Sequence, residues 1–158
     1  MKSKKDTETI DREWHPFKQF RVYDLSREKI IYPQSIDFCW TPNSYVAIVT
    51  EDVGKTPFQA SVNYVMEFTG LLDENEVEIY EGDICRFLFL SNEHGDIELE
   101  IGEIYWDERN AGYTMDRAGM YFIQQHNIMN VEVIGNIWEN KEMLDSPFKK
   151  EMIEAYYE

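Results

Sequence analysis

The sequence predicts an α+β, mainly β fold, with an N-terminal β-hairpin in a mixed subdomain, a small antiparallel barrel and a C-terminal helix. Most apolar segments are short, rich in β-branched and aromatic residues, and separated by polar or glycine-bearing loops. Aromatic residues make up 15% of the 158 residues and hydrophobic residues 43%, which is enough for a packed core. We therefore expect one domain, or two small domains that pack closely.

Residues 1–13 are interpreted as a flexible polar tail, and residues 14–68 as the N-terminal mixed β subdomain. Phe20–Asp24 and Ile30–Tyr32 flank a polar stretch of turn formers, which predicts a hairpin. Tyr45–Thr50 is a continuous apolar run between turn signals, as in a buried strand.

Residues 62–68 alternate between apolar and polar side chains. A strand with this alternation places the following residues on one face: Val62, Tyr64, Met66 and Phe68. Helix is an alternative for this segment, but its length and aromatic content favour a strand.

Residues 69–83 are interpreted as a connecting acidic turn segment. Thr69-Gly70 is expected to end the preceding strand, and Asp73–Glu76 has the composition of a turn. A second turn is predicted at Glu81-Gly82-Asp83. We expect the glycines to permit two backbone reversals and most of the acidic side chains to face water.

Residues 84–140 are predicted to form the barrel, because several short strands follow one another with short polar loops. The predicted strands are Ile84–Leu90, 96–107, Gly112–Met115, 120–123 and 131–138. Residues 141–158 are predicted to be a C-terminal helix that covers the barrel or reaches a neighbour. Ser146 can cap it, Pro147 suits its first position, and one face collects Phe148, Met152, Ile153 and Tyr156.

Five short motifs follow one another along nearly the whole chain. They are FRVYD from Phe20, FTGLLD from Phe68, EIYEGDI from Glu78, WD at Trp106, and VIGNIWEN from Val133. Each is weak alone, but in this order the set resembles the YopX family of phage and prophage proteins. The resemblance implies an SH3-like barrel in the second half and an origin in a phage or prophage of a Gram-positive bacterium. It implies no activity, because the family has no established biochemical function.

The resemblance also implies structural roles for the motif residues Thr69, Gly70, Asp73, Glu81, Gly82, Asp83, Gly135 and Asn136. One position departs from the family pattern, which usually has Gly after the Asn of the central turn. Glu76 stands there in this chain, so a tight Asn-Gly hairpin is not expected. Either Asn75 takes the positive-φ position or the loop is wider.

The net charge of −16 limits the classes of partner. A protein that binds duplex DNA neutralises phosphates with clustered Lys and Arg, so direct nucleic-acid binding is not expected unless the N-terminal segment binds alone. The charge serves solubility or attracts a basic partner. No apolar run is long enough to span a bilayer and no signal peptide is evident, so we expect a cytoplasmic protein in a bacterial host cell. Cys39 and Cys85 are interpreted as small apolar residues, not a disulfide.

No enzyme motif is present, so we expect a protein that is not an enzyme and has no cofactor and no metal. His15, His94 and His126 are isolated in the sequence, and Cys85, which could pair with His126, lies in an apolar strand. A calcium loop starting at Asp73 fails because its fifth, sixth and twelfth positions hold Val77, Glu78 and Ile84.

Alternation between residues 96 and 107 places Asp96, Glu98 and Glu100 on one strand face and Ile97, Leu99 and Ile101 on the other. This acidic row is the candidate interaction face, either as a mimic of the DNA phosphates or as the solvent face of an amphipathic strand. The sequence thus predicts a non-enzymatic protein-protein interaction module with an unknown protein partner. Two alternatives stay open: an acidic DNA mimic that inhibits a host DNA-binding protein or nuclease, and an oligomeric structural or assembly protein, here a homo-oligomer.

Overall fold

Short β-branched and aromatic segments place most of this chain in antiparallel sheets. The computed structural model describes residues 19–42, 44–90, 97–115, 121–122 and 128–157, and it is mainly β, as predicted. The described strands form sheets of four, three and five strands. The predicted tail, residues 1–13, lies outside the described residues.

The four-stranded sheet contains the predicted N-terminal hairpin. Its strands, in the order β2-β1-β6-β7, are β1 (Phe20–Asp24), β2 (Lys29–Ile31), β6 (Val65–Leu72) and β7 (Glu78–Tyr80). The prediction of a hairpin at the start of this subdomain is confirmed. Asp24 closes its turn, because its Oδ1 accepts hydrogen bonds from the Ser26 backbone N–H at 2.9 Å and the Ser26 hydroxyl at 2.7 Å.

The three-stranded sheet is only partly predictable. Its strands are β3 (Ser35–Trp40), β4 (Tyr45–Thr50) and β5 (Phe58–Ser61), with β4 in the middle. The prediction of β4 is confirmed, whereas β3 and β5 were not predicted. Asp37 interrupts the apolar character of β3, and Pro57 directly precedes β5, so neither has the pattern of a half-buried strand.

The prediction of one strand over residues 62–68 is wrong at its start. Residues Val62–Tyr64 form a 3₁₀ turn, and β6 begins at Val65. The Ser61 hydroxyl accepts a hydrogen bond from the Asn63 backbone N–H at 3.3 Å, and such a local cap competes with strand pairing.

Thr69-Gly70 does not end β6, contrary to prediction. The strand continues to Leu72 through a bulge, because its pairing with β7 shifts between Phe68 and Leu72. Gly70 lies in this bulge at φ +84°. A residue with positive φ inserts an extra position into a strand without ending it, and glycine adopts that conformation without strain.

The hairpin after β6 also differs from prediction. Glu76 has φ +65°, so the positive-φ position belongs to Glu76 and not to Asn75. The Asp73 backbone N–H donates to the Val77 carbonyl at 2.8 Å, and the Glu76 N–H donates to the Asp73 carbonyl at 3.1 Å. These bonds form a loop wider than a tight Asn-Gly hairpin, which is the second of the two alternatives, and the loop ends in a left-handed residue.

The five-stranded sheet has the order β11-β10-β9-β8-β12. Its strands are β8 (Asp83–Leu90), β9 (Ile97–Asp107), β10 (Gly112–Met115), β11 (Tyr121–Phe122) and β12 (Ile128–Asn136). The predicted strands of this half are confirmed as elements, with β12 beginning and ending earlier than expected. The last strand returns to pair with the first, and the sheet forms a half-barrel, which we call the barrel.

Three apolar clusters hold the sheets together. Val22 of β1 packs with Ala47, Val49 and Ala60 between the first two sheets. The barrel core is formed by Ile79, Cys85, Phe87, Ile104, Met115 and Ile128. A third cluster of Tyr23, Met66 and Tyr80, with Trp138 packed against it, joins the four-stranded sheet to the turn after β12.

The chain ends in the predicted helix, α1 (Ser146–Tyr157), which follows a 3₁₀ turn at Lys141–Leu144. Over its described residues, 141–157, the predicted helical segment therefore consists of two short elements. On the predicted apolar face, Ile153 is half-buried and Tyr156 is exposed. The Arg86 guanidinium lies 5.3 Å from the centre of the Tyr156 ring, which places α1 near β8.

Candidate functional site

The predicted acidic row lies at one end of β9. Asp96 falls outside the described residues, Glu98 is exposed, and Glu100 is half-buried. The predicted alternation agrees with burial for Leu99 and Ile101, which are both buried. Ile97, at the end of the row, is exposed.

Strand register places aromatic residues beside this row, which the sequence pattern did not predict. Glu100 pairs with Phe87 and Glu98 with Phe89, so both carboxylates share a sheet face with aromatic residues of the barrel core. Leu99 and Ile101 lie on the opposite face, where Ile101 pairs with Arg86. The described part of the row therefore borders the barrel core at Glu100 and reaches solvent at Glu98.

Asp73 organises the acidic turn segment. Its Oδ1 accepts hydrogen bonds from the backbone N–H groups of Asn75 at 2.8 Å and Val77 at 2.9 Å. Its Oδ2 accepts from the Val133 N–H of β12 at 3.0 Å. The carboxylate is buried, so it satisfies backbone donors and does not face water as predicted for most acids of this segment. Glu74 and Glu76 are exposed.

Asp83 joins the N-terminal sheet to the barrel. It forms an ion pair with Arg21 of β1, and its Oδ2 accepts a hydrogen bond from the Tyr80 N–H at 2.7 Å. Only 1% of Asp83 and 6% of Arg21 are exposed. Burial raises the pKa of Asp83, and Arg21 opposes that shift. The guanidinium also lies 4.6 Å from the centre of the Tyr80 ring.

Thr69 and Asn136 also bond to the backbone. The Thr69 hydroxyl donates to the Ile79 carbonyl at 2.8 Å. The Asn136 Oδ1 accepts from the N–H groups of Trp138 and Glu139, each at 3.0 Å. These contacts hold the bulge of β6 and the turn after β12.

Gly135 is required by space. A Cβ atom at this position would lie 2.7 Å from Oδ1 of Asn140, which is far inside van der Waals contact. Gly82 has φ +79°, and a Cβ there would approach Ile137 at 3.3 Å. The two glycines therefore allow the barrel turns to approach each other closely.

A cleft lies between β6 and the barrel, and we call it the Glu81–Glu103 cleft. Its volume is about 330 Å³. The residues that line it are the apolar Val62, Val65, Met66, Ile137 and Trp138, the polar Asn63, Glu81, Glu103 and Tyr105, and Gly82. Glu81 comes from the turn after β7 and Glu103 from β9, so only the folded chain brings the two carboxylates to one cleft.

Both carboxylates of the cleft are shifted toward the protonated form. Burial raises the pKa of Glu81, and the charge of Glu67 raises it further. Burial also raises the pKa of Glu103, with Glu81 adding to the shift and Lys141 opposing it. Among the described residues, neither carboxylate forms an ion pair.

A second candidate surface lies at the tip of the β3–β4 hairpin, and we call it the aromatic tip. It consists of Phe38, Trp40 and Tyr45, which are 44%, 81% and 46% exposed. The Phe38 and Tyr45 rings are stacked with centroids 6.1 Å apart, and the Trp40 and Tyr45 centroids are 5.8 Å apart. Cross-strand register places these rings on the face that carries Ala47 and Val49 into the core. The apolar face of this sheet thus extends from the core into solvent.

Other chemistry considered from the sequence involves a metal site, the two cysteines and the three histidines. Within the described residues, no group of three or more His, Cys, Asp and Glu is arranged to hold a metal ion. Cys39 and Cys85 are both free, and burial raises the pKa of the Cys85 thiol, so it is a poor nucleophile. His15, His94 and His126 lie outside the described residues. No helix in the described ranges is long and apolar enough to cross a membrane.

Comparison with known proteins gives a match to a family model and a similarity to a solved structure. The family model described as YopX protein matches residues 19–145. The crystal structure of protein EF1440 from Enterococcus faecalis is similar at 21% sequence identity and a TM-score of 0.47, covering 80% of this chain and 97% of that chain. No curated protein sequence matches the chain.

Proposed function

Because the chain belongs to the YopX family, we propose that it is a non-enzymatic, phage- or prophage-encoded protein that acts by binding another protein. The observation that carries this proposal is the aromatic tip. Large exposed aromatic residues in one cluster are unusual on a monomer and are enriched in protein interfaces, where Trp and Tyr often dominate the binding energy.

The partner that fits this surface is a different protein with an apolar patch surrounded by basic residues. The apolar patch would cover the rings, and the basic residues would be attracted by the net charge of −16. A second copy of this chain fits less well, since two copies with this charge repel each other. The cytoplasm of a bacterial host cell is the proposed location.

The finer fold assignment that accompanies this proposal is an SH3-like barrel. Its support is the strand order β12-β8-β9-β10-β11, in which the final strand returns to the first. Filled barrels of this kind expose edges and loops for binding and leave little internal volume for chemistry.

Capture of partners from host lysate by three forms of the protein tests the proposal. The forms are the natural chain, Trp40→Ala, and Trp106→Ala, which removes a 45% exposed tryptophan from the barrel as a matched control. We expect one basic protein to be retained by the natural chain and by Trp106→Ala. Retention should fall by about tenfold or more in Trp40→Ala, as for an interface hot spot. Equal retention by all three forms contradicts the proposed surface.

The two alternative functions predict other results in the same experiment. A DNA mimic would capture basic DNA-binding proteins and would release them at high salt. Glu98→Gln/Glu100→Gln would capture less of them, whereas Trp40→Ala would capture as much as the natural chain. A homo-oligomer would show a concentration-dependent mass in sedimentation that Trp40→Ala abolishes. The net charge favours the DNA mimic, and the exposed rings favour the homo-oligomer.

A further inference from the structure

We propose that an extended segment of the partner protein pairs with the open edge of β3 as an added antiparallel strand, with apolar side chains on one face and a basic side chain on the other. This inference rests on the proposed function and names the mode of binding and the chemistry of the partner segment. β3 (Ser35–Trp40) is an edge strand, because its sheet has the order β3-β4-β5 and no other described strand pairs with it.

The backbone of β3 presents hydrogen-bonding groups to this open edge at regular intervals. Residues of an antiparallel pair alternate between those that exchange hydrogen bonds and those that do not. The Thr41 N–H donates to the Ser44 carbonyl at 2.8 Å, so bonds to β4 occur at every second residue counted back from Thr41. The N–H and C=O groups of Ile36, Phe38 and Trp40 therefore point away from β4. They recur about every 6.6 Å, a spacing that another extended chain matches.

β3 lacks the devices that protect the other sheet edges of the described chain. The edge strands β2, β7 and β11 have three, three and two residues, and β5 has four residues and follows Pro57. β12 is longer, but two register shifts interrupt its pairing with β8. In addition, its Val133 N–H donates to Asp73 and its Val131 carbonyl accepts from the Glu74 N–H. β3 pairs with β4 over six residues without a shift and contains no Pro, Lys or Arg, so its edge is open to strand addition.

The side chains of β3 define the residues that fit opposite them. Ile36, Phe38 and Trp40 lie on the apolar face of the sheet, so the residues opposite them should be apolar. Asp37 lies on the other face, is exposed, and forms no ion pair within the described residues. A lysine or arginine opposite Asp37 would pair with it. Two copies of β3 joined edge to edge would instead bring two Asp37 carboxylates onto one face, which is unfavourable.

The added strand would also cover the aromatic tip. The Phe38 and Tyr45 rings are stacked across β3 and β4, but Phe38 and Trp40 have no cross-strand neighbour on the side of the open edge in the described chain. The apolar residues of the partner strand would supply that neighbour. Strand addition therefore accounts for a tryptophan that is 81% exposed on an edge strand.

Titration with the pentapeptide acetyl-Val-Thr-Val-Lys-Val-amide tests the inference. Its lysine lies opposite Asp37 when its central valine lies opposite Phe38 in an antiparallel pair. Binding is read from the backbone ¹H–¹⁵N signals of Ile36, Phe38 and Trp40, which should show saturable shifts. An N-methyl group on the central valine removes a hydrogen bond to β3 and should abolish these shifts. The matched control has the N-methyl group on the lysine, where it points away from β3, and should bind like the unmodified peptide.

A charge exchange tests the register. Asp37→Lys should weaken binding of the lysine peptide by about two- to fivefold, as for a cross-strand charge pair. The peptide with glutamate in place of lysine should bind Asp37→Lys more tightly than it binds the natural chain. The register is wrong if both peptides lose affinity equally for this variant.

Capture from lysate separates this inference from the proposed function. Ile36→Pro removes one edge-facing N–H without changing the aromatic tip, and Ile36→Val is the matched control that keeps this N–H. We expect the protein that requires Trp40 for capture to be lost in Ile36→Pro and retained in Ile36→Val. Undiminished capture by Ile36→Pro would overturn strand pairing and leave the proposed function standing.

Three outcomes of the titration would also overturn the inference. They are the absence of saturable shifts in β3, equal binding of the two N-methylated peptides, and shifts in β3 that depend on protein concentration without peptide, as for a second copy. Failure of the proposed function has a different signature. In that case Trp40→Ala would capture as much as the natural chain, while the pentapeptide would still pair with β3.

Discussion

The turns of the barrel and the aromatic tip break the usual rules of burial in opposite directions. In the turns, Asp73, Asp83 and Asn136 are polar residues inside the protein, and each satisfies backbone donors or a charged partner. At the tip, Phe38 and Trp40 are apolar residues in solvent. The first arrangement is satisfied within the chain, so it explains folding. The second leaves large apolar rings in solvent, and the proposed binding role rests on it.

The largest effect is expected from breaking the buried ion pair. Asp83→Asn keeps the shape of the side chain but leaves the Arg21 charge buried without its partner, which should lower the free energy of unfolding by about 3 to 5 kcal/mol. Urea denaturation measures this change. Glu132→Gln is the matched control, because its pair with Arg86 is about a quarter exposed and should contribute less than about 1 kcal/mol. Equal losses in the two variants would mean that burial of the Asp83 pair has no special role.

A smaller loss is expected from filling the space at Gly135. Gly135→Ala places a Cβ against Asn140 and should lower the free energy of unfolding by about 1 to 3 kcal/mol. Asn140→Ala removes the obstructing Oδ1 and Cγ atoms but keeps the Cβ of residue 140, at 2.9 Å, and it also removes the acceptor of a 3.3 Å hydrogen bond from the Asn136 N–H. A double-mutant cycle measures the steric part of the loss. Additive losses in the cycle would show that the two residues do not obstruct each other.

A gain in stability is expected at Glu76. This residue has φ +65°, where a side chain costs roughly 1 kcal/mol, so Glu76→Gly should raise the free energy of unfolding by about 0.5 to 1 kcal/mol. Glu74→Gly is the matched control, since Glu74 is exposed in the same loop and is not among the residues with positive φ. It should lower stability slightly because glycine adds freedom to the unfolded chain. The prediction fails if both variants lose stability.

The smallest effect concerns pH. The pKa values of Glu81 and Glu103 are raised in the folded state, so their protonation stabilises the fold below the ordinary glutamate pKa of 4.5. That stabilisation is lost as pH rises through the raised values. Glu81→Gln/Glu103→Gln should therefore gain stability relative to the natural chain as pH increases from 4 to 7. A constant difference across this range, measured by urea denaturation, would contradict the shifts.

Sequence patterns predicted the elements of the fold better than their irregularities. The hairpin at Phe20, the buried strand β4 and the strands of the barrel all follow from runs of apolar and β-branched residues. The bulge at Gly70 was missed because a glycine between strands has the same local signal whether it ends a strand or interrupts it. The positive φ of Glu76 was missed because left-handed geometry is expected of Asn or Gly sooner than of Glu.

The candidate surfaces were harder to predict, because they depend on long-range register. Nothing local in the sequence places Glu81 near Glu103, or Glu100 opposite Phe87. The aromatic tip was hidden for a related reason. Phe38 and Tyr45 are residue types that are typical of a core. Only the position of the β3–β4 hairpin in the folded chain shows that the end carrying these residues lies in solvent.

The most direct test of the contrast between the two regions compares Trp40→Ala with the natural chain. Urea denaturation and capture from lysate are measured on the same preparation of each protein. We predict a free energy of unfolding within about 0.5 kcal/mol of the natural chain, as for an exposed residue, together with loss of the captured partner. A loss of several kcal/mol, as for a buried aromatic residue, or undiminished capture would contradict the role assigned to the aromatic tip.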